Sequence, residues 1–226
     1  MQDEEGGKMK ILNLKFCYLI YKEKEERELK KIIEHIKKAN KINKKFWKIK
    51  ISKFNIKLIY TRGQMNQEWG RKTENWFIAF ANDNQVRIFS PKVIEKVSSH
   101  NKGEFLNTIV HEISHIFYKK LASTYKPLWL NEGIAMNLGI GKRKKFNFNK
   151  IKKMKPSYFY SYSIKKARLV YPFSFFAVKL LFKKGKEKII KLIRLYSKNP
   201  NEVYFKKQFL KIYGFKVNEL IQKVGK

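Results

Sequence analysis

His111-Glu112-Ile113-Ser114-His115 sets two imidazoles four residues apart, with a carboxylate beside the first. Four residues advance an α-helix by about 400° and about 6 Å, so both histidines leave one face and reach a single ion. Glu112 stands about 100° around the same helix, near that ion and able to act as a base. The chain has four histidines, and in such a chain this pattern arises by chance in well under about 1% of sequences. The pentapeptide therefore reads as part of a zinc site, against the alternative of a helix whose histidines are buried and satisfied by hydrogen bonds. His35 lies in a lysine-rich amphipathic stretch and His100 in a polar Ser-Ser-His-Asn loop, so both are expected at the surface.

A catalytic zinc takes three protein ligands and keeps a fourth position for water. The best further donor is Glu132, in Trp129-Leu130-Asn131-Glu132-Gly133-Ile134-Ala135. Sixteen residues lie between His115 and Glu132, enough to finish one helix, cross a short loop and return on an antiparallel one that aims a carboxylate at the histidine face. Acids are scarce in this chain, and one inside an apolar helix is costly unless charged partners offset it. Gly133 is expected to permit close helix approach, with Trp129, Leu130 and Ile134 packing the seam. Pro127 suits the first turn of this helix, and Gly139 and Gly141 its end.

Upstream, Leu12, Leu14, Phe16, Tyr18 and Ile20 alternate as in one strand. Leu29, Ile32, Ile33, Ile36, Ala39 and Ile42 then mark an amphipathic helix from Glu23 to about Lys45. A second strand carries Phe54, Ile56, Leu58 and Tyr60, and a polar loop holding Trp69-Gly70 leads to a third strand from Trp76 to Ala81. Asn82-Asp83-Asn84 reads as a hairpin turn into a fourth strand, Val86 to Phe89, ended by Pro91. The metal helix runs from about Glu104 to Lys120, and its follower from Leu128 to about Leu138. Helices are expected at Phe173 to Lys184, Glu187 to Ser197, Glu202 to Tyr213 and Val217 to Val224. The expected class is α+β: a small, mostly antiparallel sheet with helices, the zinc-binding helix, then an all-helical lobe. Residues 1–226 are expected to form a single domain, with 1–120 its upper lobe and 121–226 its lower lobe.

With 226 residues, 43% of them hydrophobic and 15% aromatic, the composition is that of a folded protein able to bury one core. The single cysteine, Cys17, excludes an intramolecular disulfide and a thiolate zinc site. The apolar run from Ile11 to Tyr21 is interrupted by Asn13 and Lys15 and is too short to span a bilayer. It is also a poor signal sequence, because Asp3-Glu4-Glu5 precede it and charged residues follow. A cytoplasmic location is the expectation, although translation from Met9, with Lys10 as a minimal basic region, leaves secretion open. The net charge of +34, from 52 Lys and Arg against 18 Asp and Glu, attracts polyanions and acidic partners. Basic runs at Lys37-Lys38, Lys44-Lys45, Lys142 to Lys145, Lys152-Lys153 and Lys183-Lys184 are spread along the chain, as solvated faces are.

The pentapeptide followed by Trp-Leu-Asn-Glu-Gly-Ile-Ala resembles the gluzincins, specifically the peptidase MA-like metallopeptidases related to thermolysin and the zinc aminopeptidases. The resemblance covers about residues 10 to 222, with weak identity outside the two motifs. It implies a thermolysin-like catalytic domain with one Zn2+ ion on His111, His115 and Glu132, and Glu112 as general base toward a peptide or protein substrate. Tyr171, in Tyr171-Pro172-Phe173-Ser174, is similar in position to a family tyrosine at the start of a helix that donates to the oxyanion. The strand Val86 to Phe89 corresponds to the family's edge strand, which pairs with an extended substrate. Thr108 and Asn131 are candidate supports for the ligands. No Gly-x-Met-Glu-Asn motif of the aminopeptidases occurs, so an endopeptidase is implied in preference to an exopeptidase. Two alternatives stand beside it: a basic protein for nucleic acid or anionic surfaces with a vestigial or structural zinc site, and an inactive scaffold that binds peptides.

Overall fold

The computed structural model describes residues 7–82, 84–139, 149 and 164–224. The acidic start at Asp3 to Glu5, Asp83 of the hairpin turn, Gly141 and the basic runs at Lys142 to Lys145 and Lys152-Lys153 lie outside the described residues. The chain divides into two compact units, one of Met1–Asn43 with Lys50–Ile116, the other of Lys44–Ile49 with Phe117–Lys226.

The first unit is built on one sheet. Strands β1 (Met9–Asn13) and β2 (Cys17–Lys22) pair antiparallel with Ile11 opposite Ile20. The alternation that suggested one strand is therefore broken by a reversal, where the Leu14 N–H donates to the Cys17 carbonyl at 2.9 Å. The reversal also changes which residues face inward: Cys17, Leu19 and Tyr21 are buried, while Tyr18 and Ile20 lie on the opposite face. A one-residue change of parity moves a whole set of side chains across the sheet.

Helix α1 (Leu29–Trp47) buries Ile32, Ile36 and Ala39, at helical steps of four and three. It starts six residues later than the apolar pattern suggested, because Glu23–Glu25 form a separate 3-10 turn. Strand β3 (Phe54–Ile59) follows and pairs parallel to β2, with Ile56 opposite Leu19. Residues 62–69, expected as loop, form helix α2 (Arg62–Trp69). Its ends have local causes: the Thr61 hydroxyl oxygen accepts from the Gln64 N–H at 3.1 Å, and Gly70 closes the helix at φ 79°.

Strands β4 (Ala79–Asn82) and β5 (Gln85–Phe89) form the expected hairpin, with Asn84 at φ 60° in the turn. Strand β5 also pairs parallel to β3, Ile88 opposite Leu58. The order is β1-β2-β3-β5-β4, with antiparallel pairs at the two margins and parallel pairs at the centre. The sheet is thus mixed, and the expectation of a mostly antiparallel one is corrected. A helix between two strands carries the chain back to the starting end, which makes the strands parallel. The expectation that Val86 to Phe89 is an edge strand is corrected too: β5 is bonded on both sides, and β4 is the edge on that side of the sheet.

Leu19, Ile56, Leu58, Val86 and Ile88 make the inner face of this sheet. After the short α3 (Ile94–Val97) comes α4 (Phe105–Ala122), the helix of the two histidines. Within the first unit it buries Phe105, Ile109, Val110 and Ile113. Each such side chain contributes about 1.5–3 kcal/mol through burial.

Among its described residues the second unit has helices, short loops and no strand. It contains α5 (Leu128–Gly139), α6 (Ile164–Lys183), α7 (Lys186–Lys198), α8 (Glu202–Tyr213) and α9 (Leu220–Lys223). Trp129 of α5 is fully buried and stacks toward Phe173, Phe205 and Phe209, with ring centroids 6.1, 6.4 and 6.5 Å away. Helix α6 starts nine residues before the expected Phe173 and contains Pro172 in its interior. No helix among the described residues is long and apolar enough to cross a membrane.

Candidate metal centre

Helix α4 is anchored at its start. The Glu104 carboxylate accepts from the Asn101 side-chain amide at 3.0 Å and bonds His100 Nδ1 at 2.7 Å. An acid at a helix N-terminus is stabilised by the exposed N–H groups there. One turn further in, the Thr108 hydroxyl donates to the Glu104 carbonyl at 3.0 Å. Next to the histidines, Asn43 of α1 donates its amide to the carbonyls of Val110 at 3.0 Å and of Ala39 at 3.1 Å. The bond to Val110 ties α4 to the neighbouring helix.

On that helix the two Nε2 atoms of His111 and His115 lie 3.1 Å apart, with the rings nearly perpendicular at 88°. His111 is half-buried, and His115 and Glu112 are each 6% exposed. One ligand atom from each of His111, Glu112 and His115 falls in a group within 4.8 Å. Zinc–nitrogen bonds of about 2.0–2.1 Å in a tetrahedron set two donor nitrogens about 3.3 Å apart, so the observed spacing fits a shared ion. The same spacing fits an N–H···N bond between neutral imidazoles. The Glu112 carboxylate is buried in the same group, and a cation beside a buried acid favours its ionised form.

The other sequence candidates fall elsewhere. His100 is held by Glu104 and, through Nε2, by the Trp76 carbonyl at 3.0 Å. His35 is half-buried with its ring 6.0 Å from that of Phe105. Glu132 belongs to the second unit, on α5, where it is 8% exposed among fully buried Trp129, Leu130 and Ile134. It is therefore no solvated surface acid. Asn131, beside it, donates to the Tyr125 carbonyl at 3.3 Å. Gly133 lies against α6: a methyl group there would collide with the Ser174 carbonyl and the Val178 side chain. The Asn137 amide strengthens the same contact, donating to the carbonyls of Gly133 at 2.7 Å and Phe175 at 2.9 Å. Tyr171 is half-buried inside α6, well past its first residue, Ile164. The helix-start position that supported its role is not the one it occupies.

Sequence reading passed over Glu104 and Asn43. The spacing of His100 and Glu104, four residues apart at a helix start, was a local signal for the first. Asn43 had none, because its partner Val110 is distant in the chain. No protein-family model matches the chain, and no curated protein matches it.

Proposed function

We propose that the chain is a zinc-dependent peptidase in which His111 and His115 hold the ion and Glu112 is the general base. The observation that supports this reading is the 3.1 Å approach of the two Nε2 atoms, with the buried Glu112 carboxylate in the same group. When bound, zinc supplies Lewis acidity, bringing the pKa of coordinated water to about 7 and polarising a carbonyl. Glu112 takes a proton from water at the site and returns it to the leaving amine. Low exposure of Glu112 and His115 strengthens each electrostatic interaction there by lowering the local dielectric.

The third ligand in this reading is Glu132, supported by its Trp-Leu-Asn-Glu-Gly setting and by its burial. Tyr171 as oxyanion donor rests on its Tyr-Pro-Phe-Ser stretch alone, since its place inside α6 is not a helix start. A gluzincin, thermolysin-like catalytic domain is proposed on the same grounds, together with a mixed sheet before the histidine helix and helices after it. The missing Gly-x-Met-Glu-Asn motif favours cleavage of internal bonds.

The decisive experiment compares the wild type with Glu112→Gln for metal content and for cleavage of a quenched-fluorescence peptide library. About one zinc per chain in both proteins is expected, with cleavage about 10²–10⁴-fold slower in the variant. Equal cleavage by the two proteins ends the reading.

A further inference from the structure

Helix α1 turns its apolar residues inward and exposes Lys30, Lys31, Lys37, Lys38 and Lys41, with Glu34 the one acid among them. Its last turn adds Lys44 and Lys45, both exposed. Among the described residues none of these lysines joins an ion pair; the pairs involve Lys10, Lys57, Arg87, His100 and Lys206. Lys41 stands three or four residues from Lys37, Lys38, Lys44 and Lys45, and like charges at those spacings cost about 0.2–0.5 kcal/mol each in an isolated helix. A bound polyanion removes that repulsion.

We propose that the outward face of α1 is a docking surface for the phosphate backbone of a nucleic acid, without sequence preference. From Lys30 to Lys45 the helix extends about 22 Å, and duplex DNA presents one charge per about 1.7 Å of axis, so the phosphate charges along that length, about 13, outnumber the lysines of the face. Lysine ammonium groups are point charges with no planar fork, suited to contacts that position a backbone and do not read bases. An anionic membrane fits less well, because interfacial helices insert an apolar face and that of α1, with Ile32, Ile36 and Ala39, lies in the core. His35 reports the local field. Burial and the adjacent Lys31 and Lys38 hold its imidazole below the ordinary range, opposed by Glu34.

The test is fluorescence anisotropy of the full-length chain with a labelled DNA duplex of about 20 base pairs over a salt series. Replacing Lys37, Lys38 and Lys41 together by Gln should flatten the log–log salt slope by about 2–3 units, while the same change at exposed Lys188, Lys191 and Lys198 of α7 leaves it within about one unit. On the wild type, NMR titration should show the His35 pKa rising when duplex is bound, which needs no variant to fold. Equal losses from the two lysine sets, an unmoved His35, or equal binding of phosphatidylserine vesicles or polyglutamate through these lysines each overturn the proposal. Glu112→Gln should bind duplex as the wild type does, so the outcome is separate from that of the peptidase reading.

Discussion

Asn43 donates its side-chain amide to the carbonyl of Val110, 3.0 Å away and one residue before His111. A bond from α1 thus holds the backbone at the point where the histidine pair begins. Asn43 is fully buried, so Asn43→Ala removes this bond between the two helices, at a cost of about 0.5–1.5 kcal/mol. Urea unfolding should show a lower midpoint at unchanged slope. A midpoint equal to that of the wild type would remove Asn43 from the account of how α4 is held.

If the proposed site takes zinc, binding to the folded chain would stabilise it by mass action, by about 2.7 kcal/mol when free zinc is about a hundred times its dissociation constant. The melting temperature should therefore rise on adding zinc and fall on chelation. His115→Ala should abolish the zinc-dependent rise, because one imidazole of the 3.1 Å pair is gone. A rise that survives in that variant would place the metal elsewhere.

Gly133 permits the close approach of α5 and α6, and Gly133→Ala puts a methyl group into the Ser174 carbonyl. Overpacking of this kind costs about 1–3 kcal/mol. Calorimetry should show a lowered melting temperature, although alanine is the better helix former. A neutral or stabilising effect would mean that the two helices can move apart without loss.

Glu25 is fully buried, its carboxylate bonded to the Ser90 hydroxyl. Burial raises its pKa above the ordinary carboxylate range, opposed by the Ser90 bond, Lys92 and Lys24, with Glu28 adding to the rise. Between the unfolded and folded values the native chain binds the extra proton, so this group's contribution falls as pH rises through that interval. The interval opens near the ordinary glutamate value of about 4.3. Glu25→Gln keeps a polar partner for Ser90 and removes the charge, so it should flatten the decline in stability from pH about 4.3 upward. Parallel pH profiles for the two proteins would exclude Glu25 as its source.

How much of this was legible followed the range of the interactions. Helix α8 runs over Glu202–Tyr213 as expected, because Asn201 caps Tyr204 at 2.8 Å and Gly214 ends it. The histidine pair was legible because both rings hang from one helix. Helix α2 escaped notice although Thr61 and Gly70 mark its ends, since its apolar positions have no helical period. The interior place of β5 depends on pairing with β3, distant in the chain, and no local pattern carries it. The face of β2 follows from the reversal at Leu14 to Cys17, which no Gly or Pro marks.

The contact of Gly133 with Ser174 has a mechanical meaning. Glu132 is the immediate neighbour of the first residue, and Tyr171 stands about one helical turn before the second. The backbones bearing both residues are held close at this contact and by the Asn137 amide on the Phe175 carbonyl. A shift of α6 against α5 would therefore move Tyr171 relative to Glu132.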